Sequence, residues 1–529
     1  MSESHAQTSF ESAKDSGHAP MSESENDSSG FAARVRSALA WRWGSQIVAQ
    51  AIAWTSTILV VRLLDPTDYG LFAMTQVVLT VLAFLNGYSF ATSLIQARDV
   101  DQRKIAQVFG LLLLFNGTLA AIQFASAPLM AAYYREPLVA DMLRIQAIIF
   151  LTVPFTALPS SLLAKRLEFK VQGKISMVAA ILSAGVALGL AWLGYGVWAL
   201  VYAPIAGFAF RAVALTVAAR SLVRPLFDFR GAGELVRFGG ALTICQLFWV
   251  VQSQSDIFIA GRFLPTHDLG LYAEALFLTL IVTGRFLPPI NEVAFPAYAE
   301  LHEKGEPLAS YFLRTSRTVL LVTAPIYFGL ALTAESAVLT LFGEKWAEMA
   351  PFVAGLSLAM PAMALQIVCS PATNAMGIPR VYMMSNGFGA VLFPTAFFIA
   401  VGSGAEGLVH AWWVSAPLLL AVTWALTLPV IGLRFTRLLQ QLARVMFANG
   451  LMVVAVMALD WLVPVSSPFL ELVMHGSVGA ATYALALFLL WPNILAETWA
   501  MLRQRGEHPP ASTSEPADRT SNTADPAAV

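Results

Sequence analysis

Apolar runs of about 20 residues follow one another along the chain from residue 43 to residue 492. A helix that crosses a bilayer needs roughly 20 apolar residues. Inside lipid, only helices and closed barrels pair all of their backbone polar groups, and the strands of a barrel would appear as alternating segments of roughly ten residues. Because the runs here are continuous and longer than that, the sequence predicts an all-α polytopic membrane protein.

The charge content agrees with this prediction. Only 12% of the residues are charged and 57% are hydrophobic, whereas a soluble globular protein carries roughly 25% charged residues. The net charge of −1 gives no indication of nucleic-acid binding. Both cysteines, Cys245 and Cys369, fall inside apolar runs, so no disulfide framework, metal site or cofactor is expected.

The runs predict fourteen spans, with boundaries defined to within a few residues. They are 43–62, 71–95, 105–132, 139–163, 171–193, 196–220, 235–261, 270–296, 310–333, 350–374, 378–401, 405–431, 440–462 and 470–492. Lys and Arg concentrate in alternate loops, and those loops are cytoplasmic if the N-terminus is cytoplasmic. The opposite loops and their edges hold only Arg62, Arg135, Arg144, Arg262 and Lys345. We therefore expect both termini in the cytoplasm.

A twelve-residue motif occurs twice, as residues 62–73 and 262–273. The copies are identical at six positions without a gap, where chance would give about one match. Six predicted spans separate them, so both copies lie on the same side of the membrane. Parallel copies of this kind indicate two six-helix halves around a central site near the bilayer midplane, which is the architecture of a transporter.

The repeat divides the chain into segments. We expect a disordered cytoplasmic N-terminal segment (1–42), an N-lobe of six spans (43–220), a cytoplasmic linker (221–234), a C-lobe of six spans (235–431), two further spans (440–492) and a disordered cytoplasmic tail (503–529).

The first copy of the motif reads Leu-Leu-Asp-Pro-Thr-Asp-Tyr-Gly-Leu-Phe-Ala over residues 63–73. It resembles the corresponding turn of Wzx-type oligosaccharide flippases, the polysaccharide-transporter branch of the multidrug/oligosaccharidyl-lipid/polysaccharide exporter superfamily. The 6 + 6 + 2 organisation agrees over roughly residues 40–495. The resemblance implies that the protein moves an undecaprenyl-pyrophosphate-linked oligosaccharide to the outer leaflet of the bacterial inner membrane, for exopolysaccharide or lipopolysaccharide synthesis. Contact with a polysaccharide polymerase stays open.

Ionisable residues inside spans are costly and usually face an interior or a wet cavity. Arg285 lies midway along span 8. In the related lipid II flippases an arginine of the eighth helix lines the cavity, and Arg285 resembles it in helix number only. Arg211 lies inside span 6. Either arginine could bind a diphosphate, although Arg285 could instead pair with a neighbouring acid and Arg211 could reach the interface.

Arg62 and Arg262 end spans 1 and 7 against the charge bias. They are candidates for a pair of substrate-binding cations at the cavity mouth. Because each arginine occurs together with the turn residues of its copy, we favour a structural role in which it pairs with Asp68 or Asp268.

Span 7 carries a polar group, Asp256 with Gln252 nearby. Asp256 is a candidate for binding a coupling ion, for balancing the charge of Arg285 or for a structural pairing. Gln46 and Gln50 lie four residues apart on one face of span 1, which suits a cavity lining or interhelical hydrogen bonds.

Two other functions are compatible with parts of this pattern. A cation-coupled exporter of small molecules would use the same scaffold with an acidic or apolar cavity. A membrane polymerase or glycosyltransferase would need a sizeable outer loop, but the longest one here covers roughly residues 334–349. Asp99 and Asp101 form a DxD pair without a nucleotide-binding domain, and no phosphate-binding Gly loop is present. We therefore predict a transporter rather than an enzyme.

Overall fold

The structure, a computed structural model, describes residues 44, 48–87, 91, 101–227 and 233–491, with side chains from residue 247 onward in the last range. Within this part of the chain every regular element is a helix. The all-α prediction is therefore confirmed. The predicted terminal segments, Gln46 and Asp99 lie outside the described residues.

In the first half of the molecule, the described residues form eight helices of five or more residues. They are α1 (Val48–Leu63), α2 (Pro66–Phe84), α3 (Gln102–Tyr134), α4 (Leu138–Gln146), α5 (Ile148–Thr152), α6 (Pro154–Lys165), α7 (Phe169–Trp192) and α8 (Trp198–Ala219). Helices α4 to α6 follow each other with hardly a break and together form one apolar segment, Pro137–Lys165.

The second half repeats this plan. It contains α9 (Gly233–Phe263), α10 (Thr266–Glu303), α11 (Leu308–Leu332), α12 (Ala334–Leu341), α13 (Ala350–Ile367), α14 (Cys369–Ala375), α15 (Pro379–Ala400) and α16 (Gly404–Ile431). A final pair follows, α17 (Phe435–Leu462) and α18 (Pro468–Leu490), and α17 packs against α11.

Eleven segments of the described chain are long and apolar enough to cross a membrane. One of them, Pro379–Ile431, contains both α15 and α16. Together with α1 and α9, the helical segments fall at the positions of all fourteen predicted spans. Membrane crossing by each of the fourteen stays a prediction, as do the segment boundaries of the two lobes.

Both copies of the motif form a turn and the first residues of a helix. In the first copy, Pro66 begins α2 with its fixed φ, and the Asp68 carboxylate accepts a hydrogen bond from the Asp65 N–H at 3.2 Å. In the second copy, Asp268 lies in the first turn of α10. Acidic side chains are favourable there because the first turn of a helix has unpaired N–H groups and the positive end of the helix dipole.

The two copies meet where α2 crosses α10. A Cβ atom on Gly70 would collide with the carbonyl oxygen of Thr266, and one on Gly270 would collide with the carbonyl oxygen of Pro66. Each glycine thus packs on the first turn of the other copy's helix. The two copies of the repeat therefore contact each other with approximate twofold symmetry, one copy from each half. We call the side of the helix bundle where they meet the motif end.

Candidate functional site

A cavity of 540 Å³ lies between the two halves. Helices α1, α2, α7 and α8 form one wall, and α9 and α10 form the other. The lining is mostly small or apolar, with polar groups from Ser56, Thr57, Tyr69, Gln76, Thr80, Ser183, Gln254 and Glu274. The cavity begins directly beside the motif, because Tyr69 and Ala273 both contribute to its wall.

Glu274 is the charged residue among the described lining residues, and the sequence analysis missed it. It is 9% exposed, and its Oε2 atom has no hydrogen-bond partner among the described residues. It forms no ion pair within that part of the chain. A signal was present in the sequence, since Glu274 directly follows the second motif copy and lies inside span 8, where an acid is costly.

Arg285 and Arg211 do not line this cavity, but both lie on helix faces that continue from it. Arg285 follows Glu274 by eleven residues on α10, which is close to three helical turns and about 16 Å along the axis. Arg211 follows Leu200, a lining residue of α8, by the same interval. Neither arginine has an ion-pair partner among the described residues, so the alternative in which Arg285 pairs with an acid is not what the structure shows.

Arg62 and Arg262 each reach into the opposite half. The Arg62 Nε donates to the carbonyl oxygen of Leu341 at 3.0 Å, and its Nη2 donates to that of Thr340. The Arg262 Nη1 donates to the carbonyl oxygen of Tyr133 at 2.5 Å. These carbonyls belong to the last turns of α12 and α3, where the helix dipole favours a cation.

The ion pairs expected within the motif are therefore not formed. Asp68 instead accepts a hydrogen bond from the Val197 N–H at 2.9 Å, and Asp268 lies 3.4 Å from the ring of His267. The expectation failed because the acceptors of both arginines are backbone atoms of the other half, more than 100 residues away in sequence.

Two further polar contacts repeat the same symmetry. Lys345 binds the Asp65 carboxylate at 2.9 Å, and Thr266 donates to the Glu136 carboxylate at 3.0 Å. In both cases a residue at the start of a motif helix contacts the segment between the third and fourth predicted spans of the opposite half. Glu136 lies there in a loop and Lys345 in a short 3-10 helix, Glu344–Met349. Together with the two arginine contacts, these two contacts form what we call the latch, which fastens the halves at the motif end.

A buried tryptophan completes the latch. Trp346 donates from Nε1 to the carbonyl oxygen of Val61 at 3.1 Å, and its ring packs edge-on against Tyr69 at 5.3 Å between centroids. The motif end is consequently filled by side chains, and the cavity lies beneath it.

Asp256 lies inside the second half and is 1% exposed. It accepts a hydrogen bond from the Tyr272 hydroxyl at 3.1 Å, and that hydroxyl accepts one from Trp412 Nε1 at 2.9 Å. This network joins α9, α10 and α16. Asp256 therefore does not balance Arg285.

The described glutamine residues of α1 and α9 differ in whether they lie near the cavity or within the second half. Gln252 is buried against Gly389, whereas its neighbour Gln254 lines the cavity. Gln50 lies three residues before Ala53, on the face of α1 that also carries the lining residue Thr57.

The described candidates thus fall into three groups. Arg285, Arg211 and Gln50 lie on faces that extend from the cavity, Arg62 and Arg262 lie in the latch, and Asp256 and Gln252 lie within the second half.

The sequence family described as polysaccharide biosynthesis protein matches residues 59–351, more than half of the chain. The chain belongs to this family. The matched region includes both motif copies, the latch and every described lining residue of the cavity except Ala53, Ser56 and Thr57. The resemblance to Wzx-type flippases that the motif indicated is confirmed.

Characterised relatives carry names from the same field. The succinoglycan biosynthesis transport protein ExoT of Rhizobium meliloti is 26% identical over 478 residues, which cover 88% of this chain and 95% of the relative. The teichuronic acid biosynthesis protein TuaB of Bacillus subtilis is 25% identical over 56% of this chain and 59% of its own length. The lipopolysaccharide biosynthesis protein WzxC of Escherichia coli is 22% identical over 59% of this chain and 64% of its own length.

Solved structures show the same fold. The lipid II flippase MurJ, in an inward closed conformation, superposes with a TM-score of 0.70 at 10% identity and covers 86% of this chain and 99% of its own. A multidrug resistance transporter of the MATE family superposes with a TM-score of 0.56 at 14% identity, over 73% of this chain and 98% of its own. This member of the polysaccharide biosynthesis family is thus a multi-pass bacterial membrane protein whose fold is similar to those of MurJ and the MATE transporter.

Proposed function

We propose that this protein is a flippase for undecaprenyl-pyrophosphate-linked oligosaccharide repeat units, moving them from the cytoplasmic to the periplasmic leaflet of the inner membrane by alternating access. One observation carries the proposal. In a chain of the polysaccharide biosynthesis family, a largely apolar cavity with hydroxyl, amide and carboxyl groups in its wall lies between two repeated halves, and it is closed at one end by a latch whose contacts all cross between those halves. The names of ExoT and MurJ, a transport protein and a flippase, support it.

In this proposal, formation and release of the latch contacts control access to the cavity from the motif end. Its contacts hold the halves together at the motif end, which we assign to the periplasm from the distribution of Lys and Arg. Release of these contacts would let the halves part there and expose the cavity on that side. The same assignment places both termini in the cytoplasm.

The cargo sets the chemistry that the cavity must supply. Sugar hydroxyls require hydrogen-bonding groups, and the cavity offers hydroxyls and amides such as Ser56, Thr57 and Gln76. A diphosphate requires cations, and Arg binds it well because its planar donors can engage two oxygens at once. Arg211 and Arg285 come one from each half and have no described ion-pair partner. We assign the diphosphate to these two residues.

Transport in proteoliposomes tests the proposal. The purified protein should move a labelled prenyl-diphosphate oligosaccharide between leaflets. We expect Arg285→Ala to lower the rate by at least about tenfold, because loss of one charge-assisted contact costs about 1.5–3 kcal/mol. The matched control is Arg437→Ala, an exposed arginine of α17 remote from the cavity.

Two results would contradict these assignments. No movement of the labelled lipid by the folded wild-type protein would reject the flippase function. Full activity of Arg285→Ala would remove that residue from the diphosphate site while leaving the function intact.

A second candidate function has one observation in its favour. Among the described residues that line the cavity, Glu274 is the one acid, and neither Lys nor Arg is present. An acidic, largely apolar cavity suits a cation-coupled exporter of cationic small molecules. Proton-driven efflux of a cationic dye by the same proteoliposomes, without movement of the prenyl-diphosphate lipid, would favour this function.

A further inference from the structure

We propose that the final helix pair carries a binding site for a divalent transition-metal ion of the zinc class, formed by Asp460, Glu471 and His475. The ligand atoms of these three side chains all lie within 4.8 Å of one another. The cluster lies outside residues 59–351, the part that the family shares, and is remote from the cavity. It is therefore independent of the proposed transport site.

Helix geometry brings the three groups together. Glu471 and His475 are four residues apart on α18 and so share one face. Asp460 lies near the end of α17, and the short connection between the helices places it opposite them. His475 Nδ1 is 3.8 Å from Glu471 Oε1, and its Nε2 is 3.8 Å from Asp460 Oδ1.

The two 3.8 Å separations start from different ring nitrogens. With one nitrogen as ligand, the three ligand atoms lie within 4.8 Å of one another. With zinc–ligand distances of about 2.1 Å, neighbouring ligand atoms of a tetrahedral site lie roughly 3.4 Å apart. Small side-chain rotations would therefore complete the site through one ring nitrogen and the two carboxylates. One imidazole and two carboxylates are donors that zinc accepts, with water at the fourth position.

The His475 ring is the observation that points to a ligand. Only 2% of its side chain is exposed, and neither ring nitrogen has a hydrogen-bond partner among the described residues. The distances to both carboxylates exceed hydrogen-bonding range. An imidazole withdrawn from water without partners is costly, whereas a metal ion would satisfy one nitrogen and balance the two carboxylates.

The cluster lies where a bound ion would hold α17 and α18 together, close to a helix that takes part in the latch. Helix α18 contacts α12, and the last turn of α12 accepts the hydrogen bonds of Arg62. An ion shared by α17 and α18 would fix the ends of the final pair beside a helix of the latch.

Metal binding by the untagged, full-length protein in detergent tests the site. After equilibration with Zn²⁺ and removal of free metal, we expect the wild type to retain one equivalent more than His475→Ala. Asp460→Asn is the second variant, because Asp460 is 70% exposed in its side chain and its replacement leaves the packing intact. We expect this variant to bind Zn²⁺ at least about tenfold more weakly.

The matched control is His410→Ala, which removes an exposed histidine that packs on Trp413. The His410→Ala protein should retain as much zinc as the wild type. With Co²⁺ in place of Zn²⁺, the wild type and His410→Ala should show the absorption bands of tetrahedral cobalt, and Asp460→Asn should not. Equal zinc content and equal affinity in wild type and Asp460→Asn would overturn the proposal.

Discussion

At the scale of single residues, the most unusual group in the cavity wall is the Glu274 carboxyl, which has no hydrogen-bond or ion-pair partner among the described residues. Glu274 lies in the wall between the halves, and burial of an ionised carboxylate without a cation is costly. An acid retained at such a position is a candidate for exchanging a proton or a cation during transport. Asp256 differs from it, because hydrogen bonds from Tyr272 and from the backbone satisfy its oxygens.

We predict that Glu274→Gln folds with an unchanged or higher Tm, because the replacement keeps the shape and removes no described hydrogen bond. If Glu274 binds a coupling ion, transport by this variant should no longer depend on an imposed ion gradient. Thermal unfolding and gradient-driven flux in proteoliposomes measure the two effects. Glu292→Gln, an exposed acid on the same helix, is the control and should behave as wild type. Gradient dependence that survives in Glu274→Gln would exclude the coupling role.

At the scale of helices, the crossing of α2 and α10 depends on two positions without a side chain. The Cβ position of Gly270 lies 3.0 Å from the backbone nitrogen of Gly70, in addition to its collision with Pro66. The opposing atoms are backbone and cannot rotate away. Small residues allow this close approach between membrane helices, and the copies of the motif keep a glycine at both positions for the same reason.

We predict that Gly70→Ala and Gly270→Ala each weaken the contact at the motif end and lower the Tm of the protein. Overpacking of this kind typically costs about 1–3 kcal/mol. Gly284→Ala is the control on α10, since nothing lies within 4 Å of its Cβ position. It should be neutral or slightly stabilising, because alanine favours the helix. Equal Tm values for Gly270→Ala and Gly284→Ala would contradict the close crossing.

At the scale of the whole molecule, each half binds the other through equivalent parts. An arginine at the end of a span donates hydrogen bonds to the last turn of a helix in the opposite half. The first residue of the next helix, or the residue before it, binds the segment that follows that helix end. Because all of these contacts cross between the halves, they break together when the halves separate. The motif is thus both the signature of the duplication and the place where the two halves are joined.

We predict that Arg62→Ala and Arg262→Ala shift the protein towards conformations open at the motif end. Hydrogen bonds from a partly exposed cation contribute about 1 kcal/mol each, so the double variant should shift the open population by roughly tenfold or more. A cysteine at Ala73, in a protein without other cysteines, should then react faster with a membrane-impermeant maleimide added from the periplasmic side. Arg144→Ala, whose arginine pairs with Asp141 within its own helix, is the control. Unchanged labelling would show that the latch does not hold the halves closed.

The sequence by itself determined the all-α class, the positions of the helical segments and the internal duplication. This information is local, because a membrane helix needs only a continuous apolar run and a repeat needs only similar residues at a constant offset. The superfamily also followed from the turn that residues 63–73 form.

The tertiary structure decided which side chains meet. Arg62 contacts residues 278 and 279 positions away, Glu274 faces a cavity whose opposite wall comes from the first half, and His475 meets an acid on a different helix. The sequence marked Glu274 as an acid inside a span, but it did not show which helices surround Glu274, Arg62 or His475, because residues far apart in the chain supply these neighbours. Helix packing, to which small residues such as Gly70 and Gly270 contribute, determines which side chains become neighbours and therefore which polar groups can interact.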